Sequence, residues 1–160
     1  MTAPQQGRAA ARGRSGPNPQ ELLSGAALAT FRLNGQFLAV AEDLARPAGL
    51  TAAWWQVLGA VLREPLPVAG IARVMGITRQ SVQRIADLLV DKGLAEYRPN
   101  PAHRRAKLLQ PTAAGYAAVE RIGPGHAAFA RRLVDEMGAD QLERALEALR
   151  ALSRALDALA

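Results

Sequence analysis

The sequence lacks cysteine altogether and has few histidine and aromatic residues. Without cysteine in 160 residues, disulfides, thiolate metal sites and thiol oxidation as a sensing chemistry are excluded. The two histidines, His103 and His126, are far apart in the chain, which makes a histidine metal site or a catalytic triad hard to assemble. No phosphate-binding loop, carboxylate pair or nucleophile with its base is evident. We therefore predict no metal, no cofactor and no enzymatic activity.

Long hydrophobic runs are missing too. No apolar run approaches the roughly 18 residues that a membrane span needs, and the N-terminus has no apolar secretory core. We expect a soluble, cytoplasmic protein with no membrane partner. The hydrophobic fraction is 49%, but 34 residues are alanine and only 4% of the chain is aromatic. Alanine forms helix well and buries little area, which predicts closely packed helices.

The formal net charge of +6 is unevenly distributed. Residues 1–20 carry three arginines and no acid, and residues 21–65 and 112–160 each sum to −1. Residues 66–111 hold eight bases and three acids, a sum of +5. A polyanion such as nucleic acid is the natural partner of this segment. A solvated basic face that keeps the protein soluble accounts for the charge alone equally well.

The N-terminal third predicts a tail and two helices. Residues 1–19 contain no bulky apolar side chain, which predicts a disordered basic tail. Apolar residues then recur every three or four positions over residues 20–46, as in a long helix. Thr51 resembles the N-cap of a second helix, whose Trp54 and Trp55 are better explained as core anchors than as ligand contacts.

The C-terminal third predicts further helices. Thr112 resembles the N-cap of one that Gly123-Pro124-Gly125 must break or kink, because proline removes an amide donor and clashes with the preceding turn. The last helix follows Gly138 and carries six leucines on one stripe. This stripe needs a partner surface, which either the first helix or a second subunit can supply.

Residues 68–89 contain two short helical patterns joined at Gly76. Glycine supplies the backbone conformation of a tight turn, and Thr78 can cap the second helix. This arrangement predicts a helix-turn-helix, although paired short helices also occur in proteins that bind no DNA. The residues expected to form its small core are Ile71, Met75, Ile77, Val82 and Ile85.

The second of these helices has a polar, basic outer face with no acid before Asp87. Bases in a first turn oppose the helix dipole unless a polyanion lies nearby. Such side chains can read base edges or grip phosphates, and a solvated surface helix is the alternative. The predicted DNA-binding residues here are Thr78, Arg79, Gln80, Ser81, Gln83 and Arg84.

Two short strands, residues 94–98 and 107–110, flank a loop with prolines and arginines. A β-hairpin with a basic tip directly after a recognition helix is a wing, and arginine suits the narrow minor groove or its phosphates. The predicted DNA-binding residues of this wing are His103, Arg104, Arg105 and Lys107.

The chain resembles the MarR (multiple antibiotic resistance regulator) family over about residues 22–158. The most specific stretch runs from Leu88-Leu89-Val90-Asp91-Lys92-Gly93-Leu94 through the wing to Thr112-Ala113-Ala114-Gly115, the family's Thr-x-x-Gly helix opening. The resemblance implies a mainly α fold with a small β-hairpin wing (α+β). It also implies one domain over residues 20–160, with a winged helix-turn-helix DNA-binding lobe at 51–111 and dimerisation helices at 20–46 and 112–160.

This resemblance implies a sequence-specific transcription regulator, more a repressor than an activator. A homodimer would bind a pseudo-palindromic operator in double-stranded DNA. A small-molecule effector would release it from a site between the dimerisation helices and the lobe, where Phe31, Trp54 and Trp55 are candidate lining residues. Two alternatives remain open: a winged-helix module that docks a protein partner, and a sequence-neutral DNA-organising protein.

Two departures from the family pattern have consequences. The family commonly places an acid just before the wing arginines to orient one of them, whereas here Ala102 and His103 precede Arg104. We expect a less preorganised wing. The other departure is Gly123-Pro124-Gly125, where a bend would set the distance between DNA-binding lobes; a harmless turn is the alternative.

Overall fold

The computed structural model describes residues 16–160 and divides after Phe37 into two compact units. The predicted tail, residues 1–19, falls mostly outside the described residues, and Pro19 is already helical. Within the described part the elements are α1 (Pro19–Ala45), a 3₁₀ turn (Arg46–Ala48), α2 (Ala52–Ala60), β1 (Leu66–Pro67), α3 (Val68–Met75), α4 (Arg79–Asp91), β2 (Ala95–Arg98), β3 (Leu108–Pro111), α5 (Ala113–Met137) and α6 (Ala139–Leu159).

The first unit contains most of α1. Asn18 begins this helix, since its Oδ1 accepts a hydrogen bond from the Gln20 amide at 3.0 Å. The large apolar side chains of this part of α1 are exposed rather than buried. Exposed apolar side chains along one helix are typical of a surface that packs on a partner. They are Leu22, Leu23, Leu28, Phe31 and Phe37.

The core of the second unit lies beneath α2, α3 and α4. Leu58, Ile71, Leu89 and Leu109 are fully buried there, one each from these three helices and from β3. Burying one such side chain contributes about 1.5–3 kcal/mol. The apolar side of α4 is thereby fixed against the sheet, and its polar side is left to solvent.

Trp54 and Trp55 do not anchor this core, contrary to the prediction. Both are only partly buried and pack against its edge. The Lys92 ammonium lies 5.3 Å from the Trp54 ring centroid, and the His126 ring meets Trp55 edge-on at 5.7 Å. The adjacent Leu58 occupies the centre instead. Helices that approach closely through buried alanines leave little room between them for an indole.

The turn between α3 and α4 has the predicted chemistry. Gly76 adopts φ +65°, and the Ile77 amide donates to the Ala72 carbonyl at 3.2 Å. The Thr78 cap is confirmed, because its Oγ1 accepts from the Ser81 amide at 3.2 Å. The prediction of a buried Ile77 is wrong: it is 40% exposed, since it lies in the turn and not on the inner face of either helix. The buried members of the predicted core are Ile71, Val82 and Ile85.

A third strand completes the wing sheet, where the sequence predicts a two-stranded hairpin. β1 pairs antiparallel with β3, which gives the order β1-β3-β2. Leu66 lies opposite Leu109, and Pro67 lies opposite Leu108. A two-residue strand is too short to show alternation, and its proline is tolerated because β1 is an edge strand. β1 leads directly into α3 and so ties that helix to the wing.

The predicted break at Gly123-Pro124-Gly125 is wrong, because α5 runs without interruption from Ala113 to Met137. Proline removes one amide donor, but Gly123 has no Cβ to clash with the proline ring and remains helical. A Cβ at Gly125 would lie 3.3 Å from Leu44 Cδ2, so this glycine permits close packing on the end of α1. The proline is thus accommodated within one continuous helix. A kink at this position, the other outcome that the sequence predicts, stays a prediction.

Candidate nucleic-acid interface

The N-terminal half of α4 presents its polar side chains to solvent. All six residues predicted to bind DNA on this helix are exposed, whereas Val82, Ile85 and Leu89 of the same helix are buried. The helical period therefore separates a core face from an outer face. The first turn of α4 contains no acidic residue, and its exposed cation is Arg79.

A cleft of about 580 Å³ separates α4 from the wing. Five of the ten side chains predicted to bind DNA line it: Arg79, Gln80 and Gln83 from α4, and Arg105 and Lys107 from the wing. The remaining walls come from the β1–α3 junction and from Tyr97 and Ala106. The other predicted residues, Thr78, Ser81, Arg84, His103 and Arg104, are exposed outside this lining.

The hydroxyl groups of Thr78 and Ser81 form hydrogen bonds at the start of α4. Thr78 Oγ1 accepts from the Ser81 amide and donates to Ser81 Oγ at 2.9 Å. This pair holds the first turn of α4. The two residues thus fix the direction in which Arg79 and Gln80 leave the helix start.

Hydrogen bonds to the side chain and the backbone of Asn100 order the wing tip. Asn100 Oδ1 accepts from the Ala102 amide at 3.0 Å, and the His103 amide donates to the Asn100 carbonyl at 3.3 Å. Within residues 16–160, Arg104 and Arg105 form no ion pair. Their guanidinium groups are exposed cations on a structured loop, available to an external anion.

The base of the wing contains the one acid of the hairpin strands. Glu96 Oε1 accepts from Arg98 Nε and Nη2, each at 3.1 Å, and from Gln110 Nε2 at 2.6 Å. This network pairs the carboxylate with a cation of the same strand. The negative charge of Glu96 is thereby offset locally and does not oppose the cations of the cleft.

Tyr97 joins the wing to α4, a contact that the sequence reasoning missed. Its hydroxyl donates to Asp87 Oδ1 at 2.6 Å and accepts from Gln83 Nε2 at 2.8 Å. Burial, and then the hydrogen bond to Asp87, raise the pKa of Tyr97 to about 12. Strand alternation places Tyr97 on the same face of β2 as the buried Ala95, and this signal could have found it.

The residues proposed for an effector fall into different units. Phe31 belongs to the first unit and is 71% exposed, while Trp54 and Trp55 belong to the second and are partly buried. A second cavity of about 320 Å³ lies between α2 and α3, and neither tryptophan lines it. Its walls are formed by Gln56, Gly59, Ala60, Val74 and Met75.

The described part of the chain offers neither a metal site nor a membrane-spanning helix. Between residues 16 and 160, no cluster of three or more His, Asp or Glu side chains could hold a metal ion. None of the helices there combines the length and the hydropathy that crossing a membrane requires.

Comparison with known proteins supports the interpretation of this region. A family model described as the MarR family matches residues 48–106, which contain α2, α3, α4 and most of the wing. An uncharacterized protein of Mycobacterium tuberculosis H37Rv is 38% identical over 128 residues, which cover 80% of this chain and 90% of that protein. The chain belongs to the MarR family. The predicted family is thus confirmed, and so is the prediction that the protein is not an enzyme, since MarR proteins are non-enzymatic regulators.

Solved MarR structures share the fold. A mutant E. coli MarR in complex with operator DNA has a TM-score of 0.69 and 20% identity, covering 85% of this chain and 99% of that one. A second example is BpsR of Bordetella bronchiseptica, whose structure concerns the regulation of its DNA binding by 6-hydroxynicotinic acid. It has a TM-score of 0.69 and 21% identity, covering 81% of this chain and 98% of that one. The winged-helix, mainly α fold is confirmed.

Proposed function

We propose that this MarR protein is a sequence-specific transcription regulator that binds double-stranded DNA through α4 and the wing. The proposal rests on the cleft between these two elements, which places Arg79, Arg105 and Lys107 around one open space. Two elements separated in sequence thus present their cations to the same volume. A duplex, with a phosphate backbone on either side of each groove, is the ligand that such a pair of elements fits.

The charge pattern supports DNA over a merely solvated face. The segment 66–111 sums to +5, and Glu96, one of its three acids, is paired with Arg98. Asp87 accepts hydrogen bonds from Gln83 and Tyr97 and is likewise engaged within the protein. With two of the three acids engaged in this way, Arg79, Arg105 and Lys107 are the charges that the cleft presents to a ligand.

We further propose a homodimer on a pseudo-palindromic operator. The leucines of α6 that remain exposed in the single chain include Leu146, Leu149 and Leu156. An apolar helix face of this length is costly to leave in water, and a symmetric partner would cover it. Two copies of α4 would then read half-sites roughly 10 base pairs apart, or a multiple of that spacing.

Repression and release by a small molecule complete the proposal. A dimer seated across an operator excludes other proteins from that DNA, which favours repression. The DNA binding of BpsR is regulated by 6-hydroxynicotinic acid. An equivalent small-molecule effector of this protein would bind near Trp54 and Trp55. A role on chromosomal DNA implies a cytoplasmic protein.

The test is a fluorescence anisotropy titration of the full-length protein with the DNA upstream of its own gene, at several salt concentrations. We expect binding that is tighter than to random DNA and that weakens linearly with the logarithm of salt concentration. Equal affinity for random DNA would favour a sequence-neutral DNA-organising protein. Absence of DNA binding together with recovery of a protein partner in a pull-down would favour a docking module.

A further inference from the structure

Three polar side chains meet beside the cleft, where the wing contacts α4. Gln83 Nε2 donates to Asp87 Oδ1 at 2.9 Å and to the Tyr97 hydroxyl at 2.8 Å. The Tyr97 hydroxyl donates to the same Asp87 oxygen at 2.6 Å. Gln83 and Asp87 lie one helical turn apart on α4, and Tyr97 reaches them from β2. The amide group of Gln83 is therefore held from two elements of the fold.

The Tyr97 hydroxyl is a fixed anchor for this amide group. Tyr97 is partly buried, and its strand β2 pairs with β3, where Leu109 lies opposite Tyr97. Burial, and then the hydrogen bond to Asp87, raise the pKa of the phenol to about 12. The phenol therefore keeps its proton, and its hydrogen bond to Asp87, throughout the physiological pH range.

Gln83 itself is an exposed side chain on the cleft wall. A glutamine without partners samples several rotamers, and ordering such a side chain when a ligand binds lowers the affinity by about two- to tenfold. In this protein the hydrogen bonds to Asp87 and Tyr97 impose that order during folding. A ligand in the cleft therefore meets an amide group whose orientation is already set.

We propose that Tyr97 and Asp87 are positioning residues for base recognition, which hold Gln83 in the orientation that reads its base pair. This inference rests on the proposed DNA-binding function. A glutamine amide recognises a base edge through the match of its donor and acceptor to those of the base, so its orientation governs discrimination between base pairs. Phosphate contacts fix the register of the protein on the duplex and carry no such information. Tyr97 thus acts on specificity from the wing, through a side chain of the recognition helix.

The experiment uses the full-length protein and an operator duplex obtained by selection from random DNA. Anisotropy titrations of Gln83→Ala against single-base-pair variants of this operator identify the base pair that Gln83 reads. The quantity compared among proteins is the discrimination at that pair, which is the Kd for the altered duplex divided by the Kd for the selected operator.

Tyr97→Phe removes the hydroxyl and retains the aromatic ring. We expect discrimination at the Gln83 pair to fall about two- to tenfold, and discrimination at the other pairs to stay unchanged. The salt slope should also stay unchanged, because the ring that lies 5.9 Å from the Lys107 ammonium is still present. Tyr116→Phe is the matched control, since the Tyr116 hydroxyl lies 3.4 Å from the Leu62 carbonyl and not beside Gln83.

A double-mutant cycle separates positioning from a merely structural role. In the Gln83→Ala background, Tyr97→Phe should cause no further loss of discrimination, because the side chain that it positions is gone. In the Gln80→Ala background the loss at the Gln83 pair should persist in full. Gln80 lies on the same cleft wall but outside the hydrogen bonds of Tyr97 and Asp87.

Asp87→Ala is a second variant, which decides the matter if Tyr97→Phe does not fold. It removes the other acceptor of Gln83 Nε2, so we expect the same selective loss at the Gln83 pair. The lost negative charge acts on all duplexes alike and cancels in the ratio of Kd values.

The opposite results are equally definite. Unchanged discrimination in the folded variants, an equal loss at every base pair, or a loss that persists in the Gln83→Ala background would overturn the inference. No base pair sensitive to Gln83→Ala would overturn it as well, while DNA binding stands. Failure of the wild-type protein to prefer any selected operator would contradict the proposed function itself.

Discussion

At the scale of single residues, the chain uses polar side chains chiefly to fix backbone and helix ends. Thr51, Thr78 and Thr112 each accept a hydrogen bond from an amide three residues later, at 3.2 Å in every case. All three caps could be predicted from sequence, because a threonine before an apolar helical pattern is a local signal. Tyr97 could not be assigned its partners, because its hydrogen bonds join residues that are distant in sequence.

The raised pKa of Tyr97 predicts an alkaline loss of stability. Its pKa rises from 10.0 to about 12 on folding, so the folded state holds the phenolic proton more tightly. The resulting stabilisation is complete below pH 10 and is lost as the pH rises through 12. Chemical denaturation of the wild type should therefore show a fall in unfolding free energy over this interval that Tyr97→Phe lacks. Identical pH profiles for the two proteins would contradict this assignment, and Tyr116→Phe should retain the fall.

At the scale of elements, the start of α5 is held against the end of α4. Thr112 Oγ1 donates to the Gly93 carbonyl at 2.6 Å, and the Thr112 amide donates to the Leu94 carbonyl at 3.1 Å. Gly115 sits so close that a Cβ there would overlap the Leu94 carbonyl oxygen. The Thr-x-x-Gly motif thus fixes the start of α5 to the end of α4 and the turn that follows it.

We predict that Gly115→Ala destabilises the protein by about 3 kcal/mol or more, because a backbone oxygen cannot move aside cheaply. The matched control is Gly59→Ala in α2, where a Cβ would meet nothing within 4 Å. That change should be neutral or stabilise by up to about 1 kcal/mol, since alanine is the better helix former. Thermal unfolding of both variants measures the contrast. Similar melting temperatures for the two variants would contradict the close contact between Gly115 and the Leu94 carbonyl.

Elements with a strong local pattern were predictable, and those that depend on distant packing were not. The period of α4 and the basic wing gave the helix-turn-helix and hairpin from sequence alone. β1 was missed because two residues carry no periodicity, and pairing with Leu108 and Leu109 is what makes it a strand. The helix through Pro124 was missed because its continuity depends on the neighbouring glycines and on Leu44.

At the scale of the whole molecule, the proposed homodimer rests on the exposed leucines of α6. Introducing a charge at Leu149 should disrupt a dimer, because a carboxylate buried in an apolar interface is costly. We expect Leu149→Glu to sediment as a monomer at concentrations where the wild type is dimeric, and to bind the operator at least roughly tenfold more weakly. Ala151→Glu adds the same charge at an exposed position two residues along the helix, off the leucine stripe, and should stay dimeric. A dimeric Leu149→Glu would place the interface elsewhere.

The distribution of charge unites the three scales. The net charge of +6 is modest, yet residues 66–111 account for +5 of it and the segments on either side are slightly acidic. Folding places cations of that segment around one cleft, on two elements that hydrogen bonds of the Tyr97 hydroxyl join. We propose that this located charge, and not the total charge, binds DNA.

The most direct test compares two double variants that lose the same net charge. Arg79→Ala with Arg105→Ala removes cations of the cleft, and Arg131→Ala with Arg132→Ala removes exposed cations of α5. Binding to the operator is measured by anisotropy as a function of salt concentration. We expect weaker binding and a salt slope shallower by about 2 for the cleft variant, with little change for the α5 variant. Equal effects of the two double variants would contradict it.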